Sequence, residues 1–295
     1  LEPYFSAVAH EKYYIFTITF PDSNANRSGM VFTHVLITEL VSLEHIDNLH
    51  TLFNIFIQKI PQEKVLLQAL QIPISTLKST DNPSSFEAYI PKGLTKLATS
   101  NPPLLFCGES SSFLKFIAAI WPGLPFLLRK AMSYTAGFWT LNLDTSRTVL
   151  HFQKSLQQLL KTQDYISDDI KEPAESLSSI EKHILTPTAG KEFDSFIKEL
   201  DINLDNWNLL QLSAKAYDAY QDYERLSNDA LKQLLRQIAK ISPVHGSRKE
   251  IKEKVLKQLE QRLAAGTENN LKSLKNLPLA AYEKGEDIIG ASMEE

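Results

Sequence analysis

Two runs of strand-forming residues near the start of the chain constrain its fold most strongly. Lys12 to Phe20 and Met30 to Thr38 are rich in aromatic and β-branched residues, which favour extended strands. The segment between them, Pro21 to Gly29, is polar and contains the Asn, Ser and Gly residues typical of turns. The pattern therefore predicts a β-hairpin with a long polar loop.

The rest of the first half alternates between short helical and strand-like patterns. A helix is predicted over Leu43 to Phe56, and a brief buried strand over Leu104 to Gly108. A second helix is predicted from about Ser112 to Ala119, with Ser111 or Ser112 as its N-cap. Two further strands are predicted over residues 138–143 and 148–152.

From about residue 153 onward, the apolar spacing becomes helical and strand patterns cease. Leu231, Leu234 and Ile238 fall on one helical face, which Ser227 or Asn228 can cap. We therefore predict an α+β protein with a mostly antiparallel N-terminal sheet, covering helices and an all-helical C-terminal region. The predicted domains are residues 1–155 and 156–295.

Composition limits which cellular compartment and which metal or disulfide chemistry we expect for this protein. The single cysteine, Cys107, excludes an intramolecular disulfide and a cysteine-based zinc site. No run approaches the roughly 20 apolar residues that span a bilayer. We expect a cytoplasmic protein that requires no metal or other cofactor and does not bind membranes.

Charge is distributed unevenly along the second half. Residues 164–229 contain 15 acidic and 6 basic residues, a net charge of −9, whereas residues 232–262 contain 9 basic and 3 acidic residues, a net charge of +6. The favoured interpretation is that these blocks attract each other or form solvated faces. The alternative is that the basic helices over residues 232–262 bind a phosphate-rich or acidic partner.

Catalytic motifs are weak throughout the sequence. The phosphate-binding pattern of P-loop nucleotidases is missing. Gly108 to Ser112 follows a predicted strand as a nucleophile elbow would, but the second glycine is absent and a helix cap is favoured. Cys107 is interpreted as a buried small hydrophobe rather than as a nucleophile.

Three places in the first half carry a family resemblance. An aromatic strand precedes Arg27-Ser28-Gly29 and an apolar strand that contains Thr33-His34; a helix contains Ile46 to Leu49; and Ile120 to Pro125 precedes Arg129 and Tyr134-Thr135. Over roughly residues 4 to 150 this pattern resembles the N-terminal domain (type 1) of the bacterial GTPase-associated protein family. The spacing from Pro125 to Arg129 is one residue longer than that family's pattern.

The candidate binding residues are polar side chains within these motifs: Arg27, His34, Arg129, Tyr134 and Thr135. They are predicted to recognise a ligand or a partner anion. The favoured interpretation is structural: His34 is satisfied by a strand neighbour, Arg27 ties the loop to a carboxylate and Arg129 caps its helix, with Asp22, Asp47 and Glu109 as available partners. We expect His34 to bond a carboxylate, hydroxyl or backbone carbonyl, and Arg27 to face outward. No residue is assigned a catalytic role.

The resemblance implies a non-enzymatic adaptor or scaffold subunit of a bacterial GTPase-linked conflict or antiviral defence system. Its partners would be a GTPase or other proteins of the same system, and the helical region would couple them. One alternative is an enzyme whose site, built from Arg27, His34 and Cys107 or a serine of residues 110–112, forms no recognisable motif. Another is a nucleic-acid sensor that uses the basic helices.

Overall fold

The structure is a computed structural model that describes residues 2–22, 29–57, 60, 69–78, 86–99, 103–138, 143–172, 176–244, 250–264, 277–287 and 289. Its chain divides into two compact units, Leu1–Pro187 and Thr188–Glu295. The described strands are β1 (Tyr4–His10), β2 (Tyr13–Pro21), β3 (Val31–Glu39), β4 (Leu104–Cys107), β5 (Tyr134–Ala136), β6 (Val149–Phe152) and β7 (Tyr165–Ser167). The α-helices are α1 (Leu49–Phe53), α2 (Tyr89–Thr99), α3 (Ser110–Ile120), α4 (Phe126–Ala131), α5 (Ser179–Leu185), α6 (Pro187–Glu199), α7 (Trp207–Gln221), α8 (Asn228–Ile241) and α9 (Glu250–Ala264).

The first unit is built on a seven-stranded sheet in the order β3-β2-β1-β5-β6-β4-β7. The β3-β2, β2-β1 and β1-β5 pairs are antiparallel, whereas the β5-β6, β6-β4 and β4-β7 pairs are parallel. The predicted α+β class is confirmed, but the sheet is mixed rather than mostly antiparallel, with three antiparallel and three parallel pairs.

The predicted hairpin is confirmed as β2 and β3, which pair over nine residues from Tyr13↔Glu39 to Pro21↔Val31. Gly29, with φ of +86°, leads the chain into β3. At the other end of β2, Glu11 adopts the left-handed conformation in the tight turn from β1. The strongest strand patterns in the sequence therefore form the antiparallel half of the sheet.

The two halves of the sheet are covered differently. In the parallel half, every residue of β4 and β6 is buried. One face of these strands packs Leu105, Cys107, Leu150 and Phe152 around Leu160, while Phe106 on the other face stacks against Phe116 of α3. In the antiparallel half, burial alternates along β1, β2 and β3, so one face is core and the other remains accessible.

Several predicted boundaries are wrong. The helix expected over Leu43 to Phe56 is a 3₁₀ helix, Leu40–His45, followed by the short α1. The break occurs because the backbone N–H groups of Asp47 and Asn48 both donate to the carbonyl of Leu77, after which the Asn48 side chain caps α1. The expected serine N-cap of α3 is also wrong, since Glu109 occupies the cap position and Ser110 to Ser112 lie in the first turn.

Residues beyond 155 include a strand that the sequence pattern did not predict. β7 has three residues and lies at the edge of the parallel half, a length at which alternation carries little signal. From residue 170 onward, the described residues form helices, turns and connecting segments, as predicted for the C-terminal region. The prediction of an all-helical region from residue 156 therefore holds in part.

The second unit contains the two amphipathic helices that the sequence predicted. Ser227 caps α8 by accepting a hydrogen bond from the N–H of Ala230. Leu231, Leu234 and Ile238 of α8 are buried, as are Val255 and Leu259 of α9. None of the helices in the described ranges has the length and the apolar run that a membrane crossing requires.

Candidate functional site

Arg129 is a buried arginine whose guanidinium binds its own surroundings. Its Nε donates to the carbonyl of Leu124 at 2.9 Å, and its Nη2 donates to that of Pro122 at 2.7 Å. Its Nη1 lies 2.9 Å from Asp47 Oδ1 and 3.1 Å from the carbonyl oxygens of both Leu43 and Ile46. These bonds join α4 to the segment before α1.

Trp121 completes this arginine cluster. Its Nε1–H donates to the carbonyl of Ile46 at 2.6 Å, and the Arg129 guanidinium lies 5.9 Å from its ring centroid. Asp47, predicted as one available carboxylate partner, is the one that pairs with Arg129. These contacts are all made within the chain, and the binding role of Arg129 stays a prediction.

His34 points from β3 into the core. Its Nδ1 accepts a hydrogen bond of 2.9 Å from the backbone N–H of Ile57, and its ring packs edge-on against Phe56. The partner is therefore a donor, not the carboxylate, hydroxyl or carbonyl that we predicted. Burial lowers the pKa of His34, which favours the neutral imidazole that this bond requires.

Tyr134 and Thr135 are neighbours on β5 but face opposite sides of the sheet. Tyr134 is fully buried against Phe113, and burial strongly raises the pKa of its hydroxyl. Thr135 hydrogen bonds through Oγ1 to Ser6 Oγ at 3.0 Å. The two residues therefore occupy different environments rather than one site.

Arg27 lies outside the described residues, so its outward orientation stays a prediction. The other four candidates make separate sets of described contacts: His34 with Ile57 and Phe56, Arg129 with the segment before α1, Tyr134 with the core and Thr135 with β1. These contacts do not by themselves assemble one open polar pocket.

The crevice beyond the parallel strands is the usual ligand site in α/β sheets. Here Asp168, which follows β7, accepts the backbone N–H of Glu109 at 2.9 Å. A Cβ added to Gly108 would lie 2.5 Å from the Asp168 carboxyl carbon, so the carboxylate fills this space. The start of α3 is therefore already occupied by a negative charge from the same chain.

The alternative nucleophiles at this crevice are also engaged or buried. Burial, followed by the Asp168 and Asp169 carboxylates, raises the pKa of Cys107 to about 11. Ser110 Oγ donates to the carbonyl of Pro3 at 2.7 Å, and Gln153 donates to that of Glu2 at 3.1 Å. The N-terminal segment thus packs against this edge. The raised pKa of the Cys107 thiol disfavours the thiolate, which is the nucleophilic form.

Sequence reasoning missed His151, a second buried histidine on β6. Its ring stacks against Phe113 at 4.5 Å, and its Nε2 lies 3.0 Å from the carbonyl of Gly108. Burial lowers its pKa. A lone histidine in a short apolar run gives no signal of this packing. Among the described residues, no three His, Cys, Asp or Glu side chains are grouped as metal ligands.

The antiparallel half presents an accessible surface that we call the open face. Its central rows follow the register Ser6-Thr17-Val35 and Val8-Ile15-Ile37, with Thr33 at one end and the row His10-Tyr13-Glu39 at the other. None of the seven central side chains is charged, and the carboxylate of Glu39 lies at the margin of the face. The central side chains on β1 and β2 are half-buried, while Val35 and Ile37 are 40% and 64% exposed. An accessible sheet face normally carries polar and charged groups, so this composition indicates an interaction surface.

The basic helices use part of their charge internally. Lys252 is buried and donates to the carbonyls of Ser242, Val244 and Ala281. Arg262 donates to the carbonyls of Leu226 and Glu224, and Lys232 is buried beside Asp229. Three of the nine basic residues that the partner-binding alternative would use therefore make contacts within the second unit instead.

A comparison with known protein families finds a match for the first strands of the chain. Residues 1–56 match the family model described as GTPase-associated protein 1, N-terminal domain type 1. The predicted resemblance to this family is confirmed over that segment, which contains β1, β2, β3 and α1. The predicted motifs at Ile120 to Pro125 and Tyr134-Thr135 lie beyond the matched residues. No curated protein and no solved structure matches the chain.

Proposed function

We propose that this chain is a non-enzymatic adaptor or scaffold subunit of a bacterial GTPase-linked conflict or antiviral defence system. In this role it binds a GTPase or another protein of the same system. The observation that carries the proposal is the match of residues 1–56 to the N-terminal domain of a GTPase-associated protein.

The surface chemistry of the matched segment supports a binding role. The open face has a broad row of Val, Ile, Thr and Ser side chains without charge, which suits burial against another protein. The side chains that the alternative enzyme site would use as nucleophiles are buried or hydrogen bonded: Cys107 is buried, and Ser110 donates to a backbone carbonyl. Both features favour recognition of a protein over chemistry on a small substrate.

Within this proposal, the candidate binding residues divide into two roles. His34, Arg129 and Tyr134 hold the core beneath the antiparallel strands, while Thr135 lies beside Ser6 of the open face. Arg27 belongs to the segment between β2 and β3 in the sequence, and we propose that its positive charge contributes to partner binding. Partner binding would therefore depend on Arg27 and the open face directly, and on the buried residues through the fold.

A pull-down with the GTPase encoded beside this chain tests the proposal. Thr17→Lys places a charge at the centre of the open face, and we expect it to reduce capture at least tenfold. Thr145→Lys makes the same change at an exposed turn and serves as the control. Arg27→Ala should also weaken capture, whereas Arg225→Ala, at an exposed arginine of the second unit, should not.

Both nucleotide states of the GTPase belong in this experiment, because an adaptor can select one of them. Circular dichroism must show that each variant retains the parent fold. The proposal is wrong if the parent captures neither state, or if Thr17→Lys and Thr145→Lys are captured equally well.

A further inference from the structure

The free edge of β3 exposes a defined set of backbone groups. The N–H of Leu40 donates to the carbonyl of Lys12 at 2.9 Å, and the N–H of Asp22 donates to the carbonyl of Met30 at 2.9 Å. In an antiparallel ladder, successive residues direct their backbone groups alternately to one side and the other. The odd-numbered residues of β3 therefore direct theirs away from β2: Val31, Thr33, Val35, Ile37 and Glu39.

This edge lacks the features that usually protect an edge strand from pairing. β3 is nine residues long and pairs with β2 in continuous register, so it has no bulge. It contains no proline or lysine, and its one charge is Glu39 at its end. The side chains of these five residues are also exposed. No described strand pairs with β3 on the side that faces away from β2.

We propose that a second copy of this chain pairs with the free edge, β3 against β3, in antiparallel orientation about a two-fold axis at Val35. With the axis there, Val35 faces its own copy, Thr33 faces Ile37 and Val31 faces Glu39. All five outward residues of each strand then exchange hydrogen bonds. An axis at Thr33 or Ile37 would engage only three of the five.

The charge pattern of β3 favours a second copy as the occupant. In this register each Glu39 lies opposite an uncharged Val31, and the two Glu39 residues are separated by about 27 Å at roughly 3.4 Å per residue. That separation exceeds the Debye length of about 8 Å at physiological ionic strength. Pairing therefore joins two strands without opposing like charges, and it extends the open face across both copies.

Cysteine cross-linking tests both the partner and the register. In the proposed dimer the two Val35 Cα atoms lie about 5.5 Å apart, as in a hydrogen-bonded antiparallel pair, which is within the range a disulfide spans. Under mild oxidation, Val35→Cys should form a covalent dimer. Val31→Cys is the matched control, since both valines are exposed but the Val31 pair would be about 27 Å apart. The native Cys107 is 1% exposed and should not react.

Sedimentation provides an independent measurement on the chain alone. The parent should sediment at twice its mass of 33.4 kDa. Val35→Pro should shift it to monomer with an unchanged circular dichroism spectrum, because the N–H that it removes points away from β2. A parent that stays monomeric at its highest soluble concentration overturns the proposal. So does a Val31→Cys variant that cross-links as fast as Val35→Cys. Neither result depends on whether a GTPase binds.

Discussion

Replacing Arg129 tests whether this residue is a structural element of the first unit. In Arg129→Ala, the carbonyls of Pro122 and Leu124 lose the hydrogen bonds that they accept from the guanidinium. The carbonyl of Ile46 keeps Trp121 Nε1, that of Leu43 keeps the N–H of Ile46, and Asp47 keeps Lys78. The loss therefore falls mainly on two backbone carbonyls and on the packing beside Trp121.

The expected loss follows from these contacts. Each buried polar group left without a partner costs about 1–3 kcal/mol. The two carbonyls of Pro122 and Leu124 therefore predict a loss of about 2–6 kcal/mol, since Asp47 keeps Lys78 as its ion-pair partner. At about 2–4 °C per kcal/mol for a unit of this size, the melting temperature should fall by on the order of 10 °C.

Thermal and urea denaturation followed by circular dichroism measure this loss. Arg129→Lys should have an intermediate effect, because one ammonium group cannot reach the carbonyls on both sides of the guanidinium. Arg147→Ala is the control, since Arg147 makes a surface pair with Asp144 at 3.0 Å, worth about 0–1 kcal/mol. The reasoning is refuted if Arg129→Ala melts within about 4 °C of the Arg147→Ala variant, because about 1 kcal/mol shifts the melting temperature by that much at most in a unit of this size.

Three further predictions concern other buried groups. His34→Ala should cost about 1–3 kcal/mol, because the N–H of Ile57 loses its acceptor. The lowered pKa of His34 means that its contribution is complete above pH 6.5 and is lost as pH falls through the folded-state pKa, so the variant should also show a weaker loss of stability on acidification. Cys107 should resist thiol reagents in the native chain and react only as fast as the first unit opens, which a time course with a chromogenic disulfide measures. Lys252→Ala should destabilise the second unit by about 2–4 kcal/mol in urea, since three carbonyls lose their donor, while Lys254→Ala should change it by less than about 0.5 kcal/mol.

The sequence was informative where a periodic pattern was long. β2 and β3 each contain nine residues of strongly strand-forming type, and α8 carries a regular apolar stripe with a serine cap. Short elements gave little signal. β5 and β7 have three residues each, and their positions depend on pairing with strands distant in the sequence. β4 and β6 were predicted as short strands, but their parallel pairing with β5 and β7 was not predictable from local patterns.

The contacts of the candidate site residues were hard to predict for a different reason. Sequence reasoning named Asp47 among the available carboxylate partners, and the structure pairs it with Arg129. It could not identify the backbone carbonyls of Leu43, Ile46, Pro122 and Leu124 as the other partners, because backbone acceptors have no residue-specific signature. The same applies to His34, whose donor is a backbone N–H rather than a side chain.

The position of the family match within the sheet adds to the argument for recognition. Residues 1–56 contain all three long antiparallel strands but none of the parallel ones. β4 and β6 are buried on both faces, whereas β1, β2 and β3 present the open face and the free edge. A segment selected only for packing would need charged groups on its accessible face to remain soluble. The open face, whose central rows carry no charge, lies instead within the segment that resembles GTPase-associated proteins. We infer that the chain binds its partners through this segment.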